Sequence, residues 1–347
     1  MWPLADGRGV TVAVIDDDGL NRRLPDFRGA QILPAVNPGG SDKVPSKAPP
    51  RGKEDDHVNG MASLIVGQGH GTGMVGVAPK AKLLPIISDL SNAIGVAEDI
   101  RYATDGGAQV ISMSLGWPTQ RPCPEVLQQA VDYAVRKDVV LVASAGNEGR
   151  DGPWQSRPAN CAGVVAVGGL DGQVKPWKHT TPGRYVTVAA PADQISDIDR
   201  NGNFTVGQRG TSAAAALTTG VVALIRSRYP KMPAREVVQR LIATAKDTGP
   251  KGWDDVTGYG LVRPYRALVD KVPPTAPNPV YDRVSSDHEH AAAKLKQPKA
   301  SGAERDKGTP AAGSEDLPIW TIVAFLAGLA FAITAWLCVR RRGHVNS

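Results

Sequence analysis

At 347 residues and 41% hydrophobic composition, the chain can bury one large core with appendages and does not require a second domain of equal size. The net charge of +6 is scattered along the chain, apart from Arg340, Arg341 and Arg342, so no basic patch argues for a nucleic-acid partner.

Strand-like apolar runs alternate with helical patterns from Gly9 to about Asp270. The strands read VTVAVI (10–15), AKLLPII (81–87), AQVISMS (108–114), VVLVASA (139–145) and GVVAVGG (163–169). Near-continuous runs of this kind predict a parallel sheet covered on both faces. Helical patterns fall between them at 57–66, 92–105 and 124–137, and continue at 211–229 and 233–245, the last with Pro233 in its first turn. The expectation is an α/β doubly wound, mostly parallel fold with its site at the C-terminal ends of strands.

The remaining chain divides into three pieces. Residues 272–316, rich in Pro, Ala and charge, predict a flexible linker. His288 and His290 flank Glu289 there and are read as part of a solvated tether rather than a metal site. Residues 319–339 carry no charge and would reach about 31 Å at roughly 1.5 Å per residue, which predicts one transmembrane helix within 317–339. Trp320 and Trp336 stand near its ends, Glu315 and Asp316 precede it, and the arginine-rich tail 340–347 follows. The positive-inside rule then puts the tail in the cytoplasm and residues 1–271 outside the cell membrane.

That orientation needs a translocation signal, yet the chain opens MWPLADGRGVTVAVID and enters a strand almost at once. Either the start is truncated or the chain is tail-anchored and faces inward. Truncation is favoured because Cys123 and Cys161 form an even pair suited to an oxidising compartment; two free thiols are the alternative.

Serine hydrolysis needs a base in reach of the hydroxyl, a carboxylate to orient that base, and donors for the developing oxyanion. Asp16 ends the first strand in VAVID, Asn147 follows the fourth in ASAGNEG, and Ser212 opens the Ala-rich helix in RGTSAAAAL. A histidine lies between Asp16 and Asn147. Each piece alone is an ordinary turn or helix cap; together and in this order they are specific.

These residues resemble the subtilisin-like serine proteases, the subtilases, over roughly residues 9–270. The blocks VAVID, GVAP (76–79), SMSLG (112–116), SAGN (144–147), GTSAA (210–214) and GYGLVRP (258–264) stand in family order. With the linker, membrane span and basic tail, the chain resembles the mycosins of type VII secretion. The resemblance implies an Asp-His-Ser triad with Asp16 orienting and Ser212 attacking. It also implies an oxyanion site of the Asn147 side chain and Ser212 N–H, and an edge at Ser114, Leu115 and Gly116 that pairs with the substrate backbone. Polypeptide is the implied substrate, with secretion-complex components and the membrane as further partners. Nothing in the sequence identifies a cofactor or a metal site.

Two histidines compete for the role of base. In a subtilase the base opens a helix, and a glycine-rich loop then leads to G-V-A-P. From His57, GMASLIVG gives a helix and Pro79 lies 79 − 57 = 22 positions on, whereas from His70 only GTGMVGVAP remains, with no room for a helix. His57 is therefore the expected base and His70 a loop residue. Three departures accompany this choice: H-V-N stands for the family's H-G-T, DDDG leaves Asp17 as an alternative to Asp16, and Ala216 replaces a proline. The strand register favours Asp16, and adjacent carboxylates should raise one another's pKa. A subtilase fold that has lost activity and serves as a scaffold is the competing reading; a lipase is disfavoured because RGTSAAA lacks the second glycine of a G-x-S-x-G elbow.

Overall fold

The computed structural model describes residues 1–17, 19–38, 57–90 and 92–284. In chain order the elements are β1 (Thr11–Asp16), β2 (Gln31–Ile32), α1 (His57–Val66), β3 (Lys82–Ile87), α2 (Ala93–Asp105), β4 (Val110–Met113), β5 (Trp117–Thr119), α3 (Glu125–Arg136) and β6 (Val140–Ser144). They continue with β7 (Gln155–Arg157), β8 (Val164–Leu170), β9 (Val186–Pro191), β10 (Ile195–Ile198), β11 (Phe204–Gln208), α4 (Thr211–Arg228), α5 (Ala234–Ala243) and α6 (Pro264–Val269).

Seven strands form one sheet in the order β2-β3-β1-β4-β6-β8-β9, and every pairing in it is parallel. Because strand side chains alternate between faces, β1 sends Val12 and Val14 to one core and Ala13 and Ile15 to the other. All four are fully buried. The first core is completed by α1, α4 and α5, the second by α2 and α3. Burying a side chain such as Ile15 contributes about 1.5–3 kcal/mol, so a strand apolar on both faces is stable only between two helical layers.

The five expected strands and five expected helices are present. Pro233 is the N-cap residue of α5 rather than a member of its first turn. Three features differ more. β9 joins the main sheet although its run YVTVAAP drew no assignment, and the hairpin β10–β11 and ribbon β5–β7 lie outside that sheet. Residues 272–284, assigned to the linker on composition, pack on the domain: Asn278 and Val280 are fully buried, and Gln239 Nε2 donates to the Pro274 carbonyl at 3.0 Å. The predicted span at 319–339 and the rest of the linker lie outside the described residues. Among the described residues, no helix is long and apolar enough to cross a membrane.

Cys123 and Cys161 form a disulfide that ties the start of α3 to the turn before β8. With a sequence separation of 38, closing this loop in the unfolded chain accounts for roughly 3–4 kcal/mol. Denaturant melts of a Cys123→Ala/Cys161→Ala variant should show that loss; equal midpoints would contradict it.

Asp99 is buried in α2 against the Ser88 hydroxyl. Desolvation raises its pKa from the ordinary 3.8 to about 6, and the Ser88 hydrogen bond only partly opposes this. The folded state therefore holds the proton more tightly than the unfolded state. Stability is unaffected below about pH 4, falls as pH rises toward 6, and carries the full cost above that. Asp99→Asn should stabilise by up to about 3 kcal/mol at pH 8 and by little at pH 4. Melting both proteins across that range tests the sign.

Candidate active site

Asp16 occupies the C-terminal end of β1, between β3 and β4, where the chain's direction of travel across the sheet reverses. Such a switch point leaves a crevice beyond the strand ends. The Asp16 side chain is 2% exposed, and its Oδ2 lies 2.7 Å from His57 Nδ1. His57 is the first residue of α1, so its side chain projects from the helix end toward the strand end. Asp17 is exposed; partial desolvation, then neighbouring Asp16, raises its carboxyl above the ordinary value.

His57, Asn147 and Ser212 line one cleft of about 460 Å³. Ser212 lies in the first turn of α4, where unpaired N–H groups and the helix dipole favour negative charge. The N-cap residue is Gly210 at φ +149°, a conformation open in practice only to glycine. Ser212 Oγ donates to the Ser114 carbonyl at 3.0 Å, and Ser114 Oγ returns a 3.0 Å bond to the Ser212 carbonyl. Asn147 Oδ1 accepts from both Thr211 N and Thr211 Oγ1 at 2.9 Å, which turns Nδ2 to the opposite side of the amide. Its backbone N–H is held by Glu148 Oε2 at 3.0 Å.

The residues 114–116 leave β4 at Met113 and run beside the cleft without regular pairing. The Leu115 carbonyl accepts from Ser144 Oγ at 2.9 Å, which fastens this segment to the end of β6. His70 is exposed in the loop after α1 and does not line the cleft.

The departures at H-V-N fall on the core side of α1. Val58 is 1% exposed among apolar residues, and Asn59 is fully buried with its Oδ1 accepting from Asn21 N at 2.9 Å. Neither displaces His57. Ala216 is fully buried inside an unbroken α4.

Sequence reasoning missed the β10–β11 hairpin, whose Asp197, Thr205 and Gln208 line the cleft, as do neighbouring Asp199 and Arg209. The signal was Asn201-Gly202 between two short alternating runs, a hairpin turn with Gly202 at φ +86°. It also missed the holding role of Thr211. Among the described residues, no group of His, Cys, Asp and Glu is placed to hold a metal ion.

A doubly wound sheet with an Asp–His pair, a helix-opening serine and a side-chain amide in one cleft matches the subtilase family, over residues 7–260. The chain belongs to that family of serine proteases. Within it the chain is related to the mycosins: it is 33% identical over 327 residues to mycosin-1 of Mycobacterium tuberculosis, covering 78% of this chain and 71% of that one. Fervidolysin of Fervidobacterium pennivorans is also 33% identical, over 306 residues, and there the chain spans 42% of the relative's length. The solved structure of a MycP3 protease from the type VII (ESX-3) secretion system superposes with a TM-score of 0.67 at 29% identity, covering 78% of this chain and 85% of that one.

Thr211→Val keeps shape and removes the hydroxyl that bonds Asn147 Oδ1 and accepts from Gly146 N at 3.2 Å. Leaving the buried Gly146 N–H unpaired should cost about 1–3 kcal/mol. A melting temperature equal to that of the unaltered chain would show that the network is not held through this hydroxyl.

Proposed function

We propose that the chain is a membrane-anchored serine endopeptidase that cleaves extended polypeptide through an acyl-enzyme at Ser212. The observation that carries this reading is the 2.7 Å contact of His57 with buried Asp16, on a cleft that also holds Ser212 and Asn147. Asp16 accepts the Nδ1 proton and fixes the tautomer, which leaves Nε2 as the basic nitrogen. The Ser212 hydroxyl turns from the Ser114 carbonyl to Nε2 and gives up its proton as Oγ bonds to the substrate carbonyl carbon. The carbonyl oxygen becomes an oxyanion between Asn147 Nδ2 and the Ser212 N–H. A donor so placed is worth about 3–4 kcal/mol in the transition state. The C–N bond then breaks, His57 hands its proton to the leaving amine, and a water molecule attacks the acyl-enzyme by the same route with His57 again the base. Residues 114–116 bind the substrate backbone as an added strand.

The anchor in this reading is the charge-free run 319–339, with the peptidase domain outside the cell membrane and the basic tail in the cytoplasm. Likeness to mycosin-1 and to a protease of a type VII secretion system supports work beside such a secretion complex, on the polypeptides that pass it.

The full chain in detergent micelles, treated with a fluorophosphonate probe, tests the chemistry. Labelling should persist in His70→Ala, vanish in Ser212→Ala, and slow by on the order of 10³-fold or more in His57→Ala and Asp16→Asn. Loss in His70→Ala with retention in His57→Ala would move the base to His70. A folded chain that never labels would favour the scaffold reading.

A further inference from the structure

A second cavity, of about 340 Å³, opens at the start of β9. The far end of β9 leads to Ala192, whose carbonyl accepts from Gly210 N at 2.9 Å, beside the nucleophile. The start of the strand therefore lies a strand's length from the catalytic cleft, about 17 Å at roughly 3.3 Å per residue. The two cavities share no lining residue.

The walls of the second cavity are tied down. Trp253 Nε1 donates to the Val186 carbonyl at 2.9 Å and Tyr259 N to the Thr187 carbonyl at 2.9 Å, so the loop bearing both rings is fastened to the first two residues of β9. A further wall comes from Pro279, Val280 and Arg283. Asn278 Nδ2 donates to the Arg235 carbonyl at 2.7 Å and Val280 is fully buried, which fixes this wall as well. Arg283 Nε donates to the Pro279 carbonyl at 3.3 Å and is thereby held on it.

The charge on these walls has one sign. Arg184 and Arg283 line the cavity, and among the described residues no carboxylate does. The carboxylates near in sequence are committed elsewhere. Asp255 pairs with Arg150 at 2.7 Å, Asp282 with Arg235 at 2.6 Å, and Asp254 accepts from Val256 N and Thr257 N at 2.8 Å. Arg184 is exposed, and among the described residues its guanidinium has no hydrogen-bond or ion-pair partner. Beside that charge, Trp253 stays 40% exposed although its N–H is already used. What remains open on the indole is apolar, and covering it is favourable.

We propose that this cavity docks an acidic segment of a partner polypeptide, with a carboxylate on Arg184 and an adjacent apolar side chain over Trp253. The inference does not depend on the chemistry at Ser212. A guanidinium holds a carboxylate through two parallel N–H bonds, whereas two arginines repel a cationic segment. The volume is near the low end for ligand sites, so it admits one or two side chains while the rest of the partner lies across the surface. A bare phosphate ion would leave the indole uncovered. Because the walls come from both β9 and residues 279–283, an occupant also ties the C-terminal segment to the sheet.

Calorimetry on the full chain in detergent micelles tests this, with Ser212→Ala present so that no peptide is cleaved. The probes are the capped peptide Gly-Glu-Leu-Glu-Gly and its counterparts with Gln or Lys in place of Glu. The Glu peptide should bind at least about tenfold more tightly than the Gln peptide, with the Lys peptide weakest. Raising the salt concentration should weaken the Glu peptide most, since Arg184 is exposed. Arg184→Gln should bring the Glu and Gln peptides to within about twofold, and Arg184→Glu should place the Lys peptide first. Neither change should lower the melting temperature, because the guanidinium has no partner to lose. Trp253→Ala should weaken the Glu and Gln peptides alike, by about tenfold. Equal binding of the Glu and Gln peptides, or no binding of either, overturns the proposal. So does a preference for Glu that survives Arg184→Gln, which would place the contact elsewhere, as on Arg209 of the catalytic cleft. Inorganic phosphate that binds through Arg184 where the Glu peptide does not would make the cavity a simple anion site and overturn it too.

Discussion

A carboxylate that is 2% exposed at the end of a central strand needs a partner, and Asp16 has one in His57 at 2.7 Å. Unpaired, such a charge would cost several kcal/mol. That requirement organises the surrounding chain. β1 must lie where strands on both sides leave its end open, which the order β3-β1-β4 provides. α1 begins with the histidine at its exposed end, and the next two positions, Val58 and Asn59, turn into the core instead. The pair is thus built into the fold before any substrate is considered.

The other half of the cleft depends on α4. Its first turn receives Asn147 from the end of β6 and Ser114 from the end of β4, both across sequence separations of more than sixty residues. Holding side chains from such distant segments in place requires rigid supports: Thr211 donates to Asn147, Ser144 donates to the Leu115 carbonyl, and Ser114 and Ser212 bond each other reciprocally. Asn147 itself is exposed, so these bonds, and not packing, fix its orientation. Donors fixed in advance toward a developing charge need no reorganisation when it forms.

Much of this was legible because fully buried parallel strands and small-residue helices write their burial into composition. Ile15, Ile111 and Leu141 admit few alternatives to a covered sheet, and the spacing between His57 and Pro79 admits a helix where the spacing from His70 does not. β9 was hidden because TVAA mixes small and polar residues, and its place at the sheet edge is set by pairing with β8 rather than by its own pattern. Residues 272–284 were hidden for the opposite reason: four prolines and exposed polar residues mask Asn278, Val280 and Tyr281, three buried groups that fasten the segment to α5 and the core. Composition averages over a window, whereas docking needs only a few contacts.

The cleft also carries costs that a purely structural solution would avoid. Asn59 Nδ2 and Ser156 Oγ are buried without hydrogen-bond partners, one beside the helix turn that bears His57 and the other beside the segment at Gly116. Replacing either with an apolar group of the same shape removes a desolvation penalty. The two positions differ in what such a change would touch. Asn59 spends its carbonyl on the Asn21 N–H, so its unpaired amino group is the residue of a useful bond elsewhere. Ser156 Oγ makes no bond at all, while its own backbone is held through Tyr185 Oη to the Ala145 carbonyl.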